Sequence, residues 1–258
     1  MMRKSLLTPL REQAPLVHCI TNYVAMNVAA NVVLAVGASP AMVHAPEEMA
    51  DFTPLCGALT INIGTLSAPW LVSMKAAADV ANARNIPWVL DPVAHFISGF
   101  RQQAAQDLLA RRPAIVRGNA SEIITLAGQA GTGKGVDSGD PVEAAEEAAR
   151  VLARENDLVV AVTGPVDFVT DGKAEARVRG GSEIMPLVTG LGCALTALMG
   201  AYVAVGPAFD AALGATAHFK CAGTAAAAKA QGPGSFQVHF LDALAATQSD
   251  ELAEVILS

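Results

Sequence analysis

Charge is what this 258-residue chain has least of: Asp, Glu, Lys and Arg together make up 16%, against 52% hydrophobic residues. That balance excludes a disordered chain and requires a large covered interior or apolar faces shared between copies. The net charge of -7 argues against nucleic acid as a general partner. A phosphate ligand would therefore need backbone amides and a few local Arg or Lys side chains. Cysteine is scarce too. Cys19, Cys56, Cys193 and Cys221 form no C-x-x-C pair, and no Cys/His cluster has zinc-ligand spacing. A reducing cytoplasm fits such usage best. The apolar run between Lys4 and Arg11 is too short for a secretory signal. Two uncharged stretches, Pro186 to Phe209 and Ala14 to Pro46, have the length to span a bilayer. The first opens on a glycine turn, is flanked by Glu183 and Asp210, and lacks aromatic and basic anchors; the second carries Asn22, Asn27 and Asn31. Both read as buried elements of a soluble protein. No repeat, low-complexity linker or boundary divides the chain, which reads as one domain over 1–258.

Strand and helix signals alternate, the pattern of a mostly parallel sheet with helices on both faces. Strands are expected at Leu16–Ile20, Ser39–Val43, Ala58–Ile63, Pro87–Leu90, Ala114–Val116 and Leu158–Val162, then a hairpin of Val166–Thr170 and Ala174–Val178 around Asp171-Gly172. Helices are expected after Thr21 or Asn22 to about Val36, from Ser67 to Arg84, over Gln102–Arg111, from Asn119 to Ala127, and over Pro141–Glu155. Everything beyond Gly192 reads as helix, broken at Pro207 and at Gly232-Pro233-Gly234. Asp91, Arg117, Asn119 and Thr163 gather where strands end, the place where open α/β sheets bind ligands.

The most telling segment is Val188-Thr189-Gly190-Leu191-Gly192-Cys193-Ala194-Leu195. Two glycines and a cysteine lead from an extended stretch into an apolar helix, where free amides would cradle an anion. A cysteine on that first turn would have its thiolate favoured. Phosphoryl transfer to a small alcohol is one reading, with Cys193 taking the hydroxyl proton. The other is a glycine turn into a core helix with an inert cysteine. Asn119 and Glu122 have the spacing of a helix cap, and could also hold a magnesium–phosphate group. Arg117 stands at a strand end, well placed for a phosphate. Asp91 could supply a carboxylate to the same metal or only turn the chain. Thr163-Gly164 could meet ATP through hydroxyl and amide or be an ordinary turn. Met42 is suited to an aromatic ring or to plain core. Gly128 to Gly135 nearly matches a P-loop but follows a helix and lacks the Ser or Thr after Lys134, so it reads as a loop. His18 and Cys19 are neighbours on a strand and face opposite sides, which argues against a dyad.

Taken in order, these motifs resemble the hydroxyethylthiazole kinases of thiamine biosynthesis, within the ribokinase-like superfamily. The resemblance runs from His18-Cys19-Ile20-Thr21-Asn22 through Ser39-Pro40-Ala41-Met42, Asp91-Pro92-Val93, Arg117-Gly118-Asn119 and Gly135-Val136-Asp137-Ser138 to Val162-Thr163-Gly164, Thr189 to Cys193 and Gly232 to Phe236. It implies a three-layer α/β/α sandwich and ATP- and magnesium-dependent phosphorylation of 4-methyl-5-(2-hydroxyethyl)thiazole. Carried over by motif, it implies Arg117 and Thr163 at the nucleotide and Met42 and Gly190 at the thiazole, with Cys193 where many sugar kinases of the superfamily place an aspartate base. Read from their own positions, Asn119 and Gly192 are further candidates at the nucleotide, Asn22 at the thiazole, Asp91 and Glu122 at the metal, and Cys193 as the catalytic group. The resemblance also implies a cytoplasmic homotrimer with the thiazole pocket at subunit interfaces. Two departures stand out: Leu191 replaces the Thr usual between the two glycines, and His95-Phe96 replaces a glycine- and alanine-rich loop. They keep two alternatives in view: an ATP-dependent lyase similar to the nicotinamide-hydrate dehydratases, and a non-catalytic ligand-binding relative.

Overall fold

A computed structural model of the chain describes residues 5–129 and 140–257. The strands are β1 (Leu16–Ile20), β2 (Ser39–Ala41), β3 (Ala58–Asn62), β4 (Trp88–Asp91), β5 (Ile115–Asn119), β6 (Val159–Thr163), β7 (Asp167–Thr170), β8 (Glu175–Val178) and β9 (Ile256–Leu257). They form one sheet in the order β2-β1-β3-β4-β5-β6-β7-β8-β9. Pairing is parallel from β2 to β6 and antiparallel from β6 to β9. The helices are α1 (Leu7–Gln13), α2 (Met26–Ala35), α3 (Met49–Phe52), α4 (Ala68–Ala83), α5 (Gly99–Leu109), α6 (Ala120–Leu126), α7 (Val142–Asn156), α8 (Leu191–Val203), α9 (Ala208–Ala227), α10 (Pro233–Ala246) and α11 (Glu251–Glu254).

Most expected elements form within a residue or two of their expected bounds. Local chemistry explains several ends. Ser67 Oγ accepts from Trp70 N at 3.4 Å to start α4, and Ser98 Oγ accepts from Arg101 N at 3.3 Å to start α5 three residues earlier than expected. Asn22 does not cap α2: it closes a turn by accepting from Ala25 N at 3.0 Å, and the helix begins at Met26. The short helix α1 and the two-residue strand β9 carry no periodicity long enough to read from sequence. Of the stretch from Gly128 to Gly139, residues 130–139 lie outside the described residues, and with them the Gly135 to Ser138 motif. Pro186 to Phe209 resolves into a short 3₁₀ turn, a glycine turn, α8 and the start of α9. No helix among the described residues is long and apolar enough to cross a membrane.

Strand alternation divides the core in two. Val17, Val89, Ile115, Val159 and Ala161 point to the face covered by α1, α2, α8, α9 and α10. Leu59, Ile61, Trp88, Leu90, Val116, Val160 and Val162 point to the face covered by α4, α5, α6 and α7. This is a three-layer α/β/α sandwich, as expected. Both faces of β1, β3, β4, β5 and β6 are covered, which explains their near-continuous apolar runs. Trp88, Phe168, Phe236 and Phe240 are fully buried, each worth about 1.5–3 kcal/mol relative to exposure. The strand order reverses beside β1, since β2 and β3 flank it, so the carboxyl ends of the parallel strands open a crevice there.

The buried polar residue His218 ties α9 to its neighbours. Its Nδ1 pairs with Tyr202 Oη on α8, and its Nε2 with the carbonyl of Leu244 on α10, both at 2.9 Å. Burial lowers its pKa to about 4, so the folded chain holds it neutral while the unfolded chain titrates near 6.5. Its contribution to stability is full above pH 6.5 and is lost as pH falls toward 4. We predict that His218→Gln makes stability less steeply dependent on pH between 4.5 and 6, by up to about 1.4 kcal/mol per pH unit, in urea titrations at a series of pH values.

Candidate active site

The period of two that sorts the core also sorts the site. Asn62, Asp91 and Thr163 end β3, β4 and β6, Arg117 stands two residues before the end of β5, and all four lie on the face that α8 covers. Asp91 is the hub. Its Oδ2 accepts from Asn62 Nδ2 at 2.7 Å, from Thr196 Oγ1 at 2.7 Å and from Arg117 Nη1 at 3.4 Å. Arg117 Nη2 donates to Thr163 Oγ1 at 2.7 Å. The Asp91 side chain is fully buried and that of Arg117 is 11% exposed. Burial pushes the Asp91 carboxyl upward, opposed by Arg117 and the hydroxyl and amide donors. Burial also works against the Arg117 charge, but Asp91 and Glu122 more than offset it and hold the guanidinium protonated.

Helix α8 begins above this pair. Gly190 is left-handed at φ 80°, and a Cβ there would stand 3.0 Å from Val28 Cγ1 and 3.2 Å from Ala25 Cα. No side chain caps Gly190, and Ala194 N makes the first bond of the helix, to Gly190 O. The amides of residues 191–193 therefore stand at the helix start ahead of that bond. Gly192 lets the helix rest on the guanidinium, since a Cβ would meet Arg117 Nη2 at 3.0 Å. Cys193 sits on the other side, where its sulfur accepts from Asn22 Nδ2 at 3.2 Å. The same Asn22 nitrogen donates to Asn62 Oδ1 at 2.8 Å, so β1, β3 and α8 meet there.

The cysteine departs from its expected chemistry. A helix N-terminus favours a thiolate, yet burial and then the Asp91 carboxylate push Cys193 up to about 11. Desolvation outweighs the helix dipole, and at neutral pH the group is a thiol.

Glu122 and Asn119 form the reciprocal cap that their spacing implied: Asn119 Oδ1 accepts from Glu122 N at 2.9 Å and Glu122 Oε2 from Asn119 N at 2.8 Å. Glu122 Oε1 also accepts from Ala94 N at 2.9 Å, which ties β4's loop to α6. Burial, then the nearby Asp91, raises its pKa to about 7. Thr163 keeps its hydroxyl in the Arg117 network, but the Gly164 amide is taken, donating to Asp167 Oδ1 at 2.7 Å. Met42 stands apart. It follows β2, two strands from β3, and packs against the α8-face core.

Two openings flank α8's start. A cavity of about 660 Å³ is lined on its polar side by Arg117, Thr163 and Gly192, and on its apolar side by Leu191, Leu195, Met185 and Phe219. A shallower groove of about 260 Å³ lies by Val24, Val28, Val188, Thr189 and Gly234. Leu191 is thus a wall of the larger cavity. His95 is buried, with both ring nitrogens lacking a hydrogen-bond partner and its pKa lowered by burial to about 4. Neither His95 nor Phe96 lines either opening.

The family model of the hydroxyethylthiazole kinase family matches residues 7–250. The chain belongs to that family. It is 72% identical over 251 residues to the hydroxyethylthiazole kinase of Roseobacter denitrificans, covering 97% of this chain and 98% of the relative. To the enzyme of that name from Rhizobium etli it is 60% identical over 249 residues, covering 96% of each. The solved hydroxyethylthiazole kinase of Pyrococcus horikoshii superimposes with a TM-score of 0.90 at 38% identity, over 98% of this chain and 96% of that one. Pyridoxal kinase from Bacillus subtilis matches with a TM-score of 0.63 at 16% identity over 80% of this chain and 90% of its own, a likeness of ribokinase-like fold alone. Membership identifies the chain as a phosphotransferase and implies use of ATP.

Hydroxyethylthiazole kinase motifs do not mark every residue that builds this site. Arg101 on α5 donates to four main-chain carbonyls: Ile63 at 2.6 Å, Gly64 at 3.0 Å, Ala94 at 3.2 Å and Val93 at 2.5 Å. It clamps the loops after β3 and β4, and so the backbone that carries Asn62 and Asp91. Nothing in the sequence distinguishes it from a surface arginine. Thr196, likewise, is one more polar residue in an apolar helix until the fold sets it on Asp91.

A thiol near pKa 11 has a distinct signature. Alkylation of Cys193 by iodoacetamide, followed by mass spectrometry of its peptide, should accelerate about tenfold per unit from pH 7 to 9 without levelling. A plateau near pH 7 would reveal an activated thiolate.

Proposed function

We propose that the chain transfers the γ-phosphoryl group of ATP to the hydroxyl of 4-methyl-5-(2-hydroxyethyl)thiazole, in thiamine biosynthesis or salvage, within the cytoplasm. The observation that carries this reading is the junction at α8's start. One side of the helix turn faces a cavity of nucleotide size with Arg117 and Thr163 in its wall. The other side carries Cys193, held by Asn22, and the groove lined by Val188 and Thr189 lies just ahead of the same turn. A phosphoryl group crossing from one side to the other would pass the amides of residues 191–193, placed where negative charge develops.

In this reading the triphosphate lies along Arg117, Thr163 and Gly192, and Leu195, Met185 and Phe219 cover the base. Asn119 acts on the nucleotide side through α6, whose start it caps. Magnesium fits the residues present. Asp91 Oδ1 is a buried carboxylate oxygen with no hydrogen-bond partner, a hard donor suited to this ion. Both Glu122 oxygens already accept backbone N–H groups, so Glu122 would act through a water. Among the described residues no cluster of His, Cys, Asp and Glu makes a complete cage, as expected for an ion that binds mainly to phosphates and water. When bound, the ion supplies positive charge to the phosphate oxygens.

Cys193 serves this transfer as a thiol. Asn22 donates into its sulfur, so the S–H is free to meet the acceptor oxygen and orient it in line. A loose phosphoryl transition state makes little demand on a strong base: as the oxygen–phosphorus bond forms, ADP leaves and the hydroxyl proton passes to an oxygen of the transferred phosphoryl group, so positioning suffices. Asn22 has both its oxygen and its amide nitrogen engaged, and acts on the acceptor by holding Cys193. Gly190 gives the acceptor an approach to the backbone.

The acceptor groove is open, and Tyr23, Val24, Leu187 and Val238 leave large apolar surface exposed. A homotrimer that closes the groove at a subunit interface accounts for that surface. It also accounts for Met42, which lines neither opening of its own chain.

The reading is tested by mixing protein, ATP, magnesium and the thiazole alcohol, and measuring product mass; the alcohol should gain one phosphoryl group, and an unmodified alcohol overturns the assignment. Cys193→Ala should lower kcat at least tenfold while ATP affinity changes less than threefold. Arg117→Ala should raise the KM for ATP at least tenfold, and an unaltered value would make Arg117 structural only.

A further inference from the structure

We infer that Lys220 and Thr224, one turn apart on α9, set the width of the 660 Å³ cavity and are positioning residues for its nucleotide. The inference rests on the nucleotide reading above. Two segments outside helix and strand line the cavity: Gly164-Pro165 after β6, and Gly180 to Glu183 after β8. Left alone, such segments would have to be ordered by the ligand at a cost in affinity. Here α9 orders both.

Lys220 holds the first. Its ammonium donates to Gly164 O at 2.7 Å and to Pro165 O at 3.1 Å, and stands 3.3 Å from Asp167 Oδ1. These are three acceptors for its three protons. The same Asp167 oxygen accepts the Gly164 N–H, so the turn is gripped from both sides. The second segment is held by the next turn of α9. Gly181 N donates to Thr224 Oγ1 at 2.9 Å and to the Lys220 carbonyl at 3.1 Å. Thr224 Oγ1 in turn donates to Gly181 O at 3.4 Å.

An ammonium and a carboxylate buried together are costly, with side chains 8% and 4% exposed. Apolar residues would fill the space with less penalty. What the pair adds is a fixed geometry for Gly164 and Pro165, which stand beside Arg117 and Thr163 in the cavity wall. Neither residue lines the groove on the acceptor side, so their effect belongs to the nucleotide.

The test compares the wild type with Lys220→Arg, Lys220→Met, the charge-free pair Lys220→Met with Asp167→Asn, and Thr224→Val. ADP binding is measured by calorimetry, and both KM values by steady-state assay. The charge-free double variant should melt cooperatively, bind ADP about tenfold more weakly and keep the acceptor KM within twofold. Lys220→Arg should recover part of the loss. Thr224→Val, which leaves the ion pair intact, tests the second segment and should weaken ADP binding severalfold. ADP affinity within twofold of wild type in both folded variants, or an equal rise in acceptor KM, would overturn the inference. A wild-type chain that binds neither ADP nor ATP would instead reject the nucleotide reading, and the inference with it.

Discussion

An aspartate and an arginine share the buried ends of two adjacent strands, and much of the site follows from that ion pair. Asp91 and Arg117 cannot be buried separately without a large desolvation cost. Together they still need donors and acceptors, and the neighbouring strand ends provide them in Asn62 and Thr163. The helix above must then come close enough to set Thr196 on the carboxylate and Gly192 on the guanidinium. That approach places the free amides of α8 over the pair and Cys193 beside it. In the proposed reading an anion site and an acceptor site are thereby two sides of one helix turn.

The parts legible in the sequence are those fixed by local rules. Alternation of period two put Asp91, Arg117 and Thr163 on one face once their strands were placed, and strand ends are where an open parallel sheet binds ligands. The Asn119–Glu122 cap and the Asp171-Gly172 hairpin were visible as spacing. The contacts that join distant segments were not. Asn62 ends an apolar strand, Thr196 lies inside an apolar helix, and Arg101 and Lys220 read as ordinary surface cations. Each gains its role from a partner between 29 and 105 residues away. The charge state of Cys193 is not legible in the sequence for a related reason. Its place at a helix start is local, but its burial and the nearness of Asp91 are tertiary, and they prevail.

The two departures from the family pattern fall out differently. Leu191 adds apolar surface to the nucleotide side while its amide stays in the helix start, so the loss of a hydroxyl leaves the anion cradle standing. His95 turns into the interior beside α5 and α6, away from both openings. Neither change breaks the hydrogen bond between Asn22 and Cys193, on which the proposed acceptor side rests. The catalytic logic we propose is one of placement, with charge held by a buried ion pair and a helix terminus rather than by an activated base.

The ion pair should therefore govern both substrates at once. The direct measurement is a full steady-state analysis of Asp91→Asn, which keeps the shape of the side chain and removes its charge. Loss of the hub should lower kcat by a factor of at least about a hundred and raise the KM for ATP together with it, in a protein that still melts cooperatively. Turnover within a few-fold of wild type would contradict the account, because Arg117, Asn62 and Thr196 would then hold the site without the carboxylate that joins them.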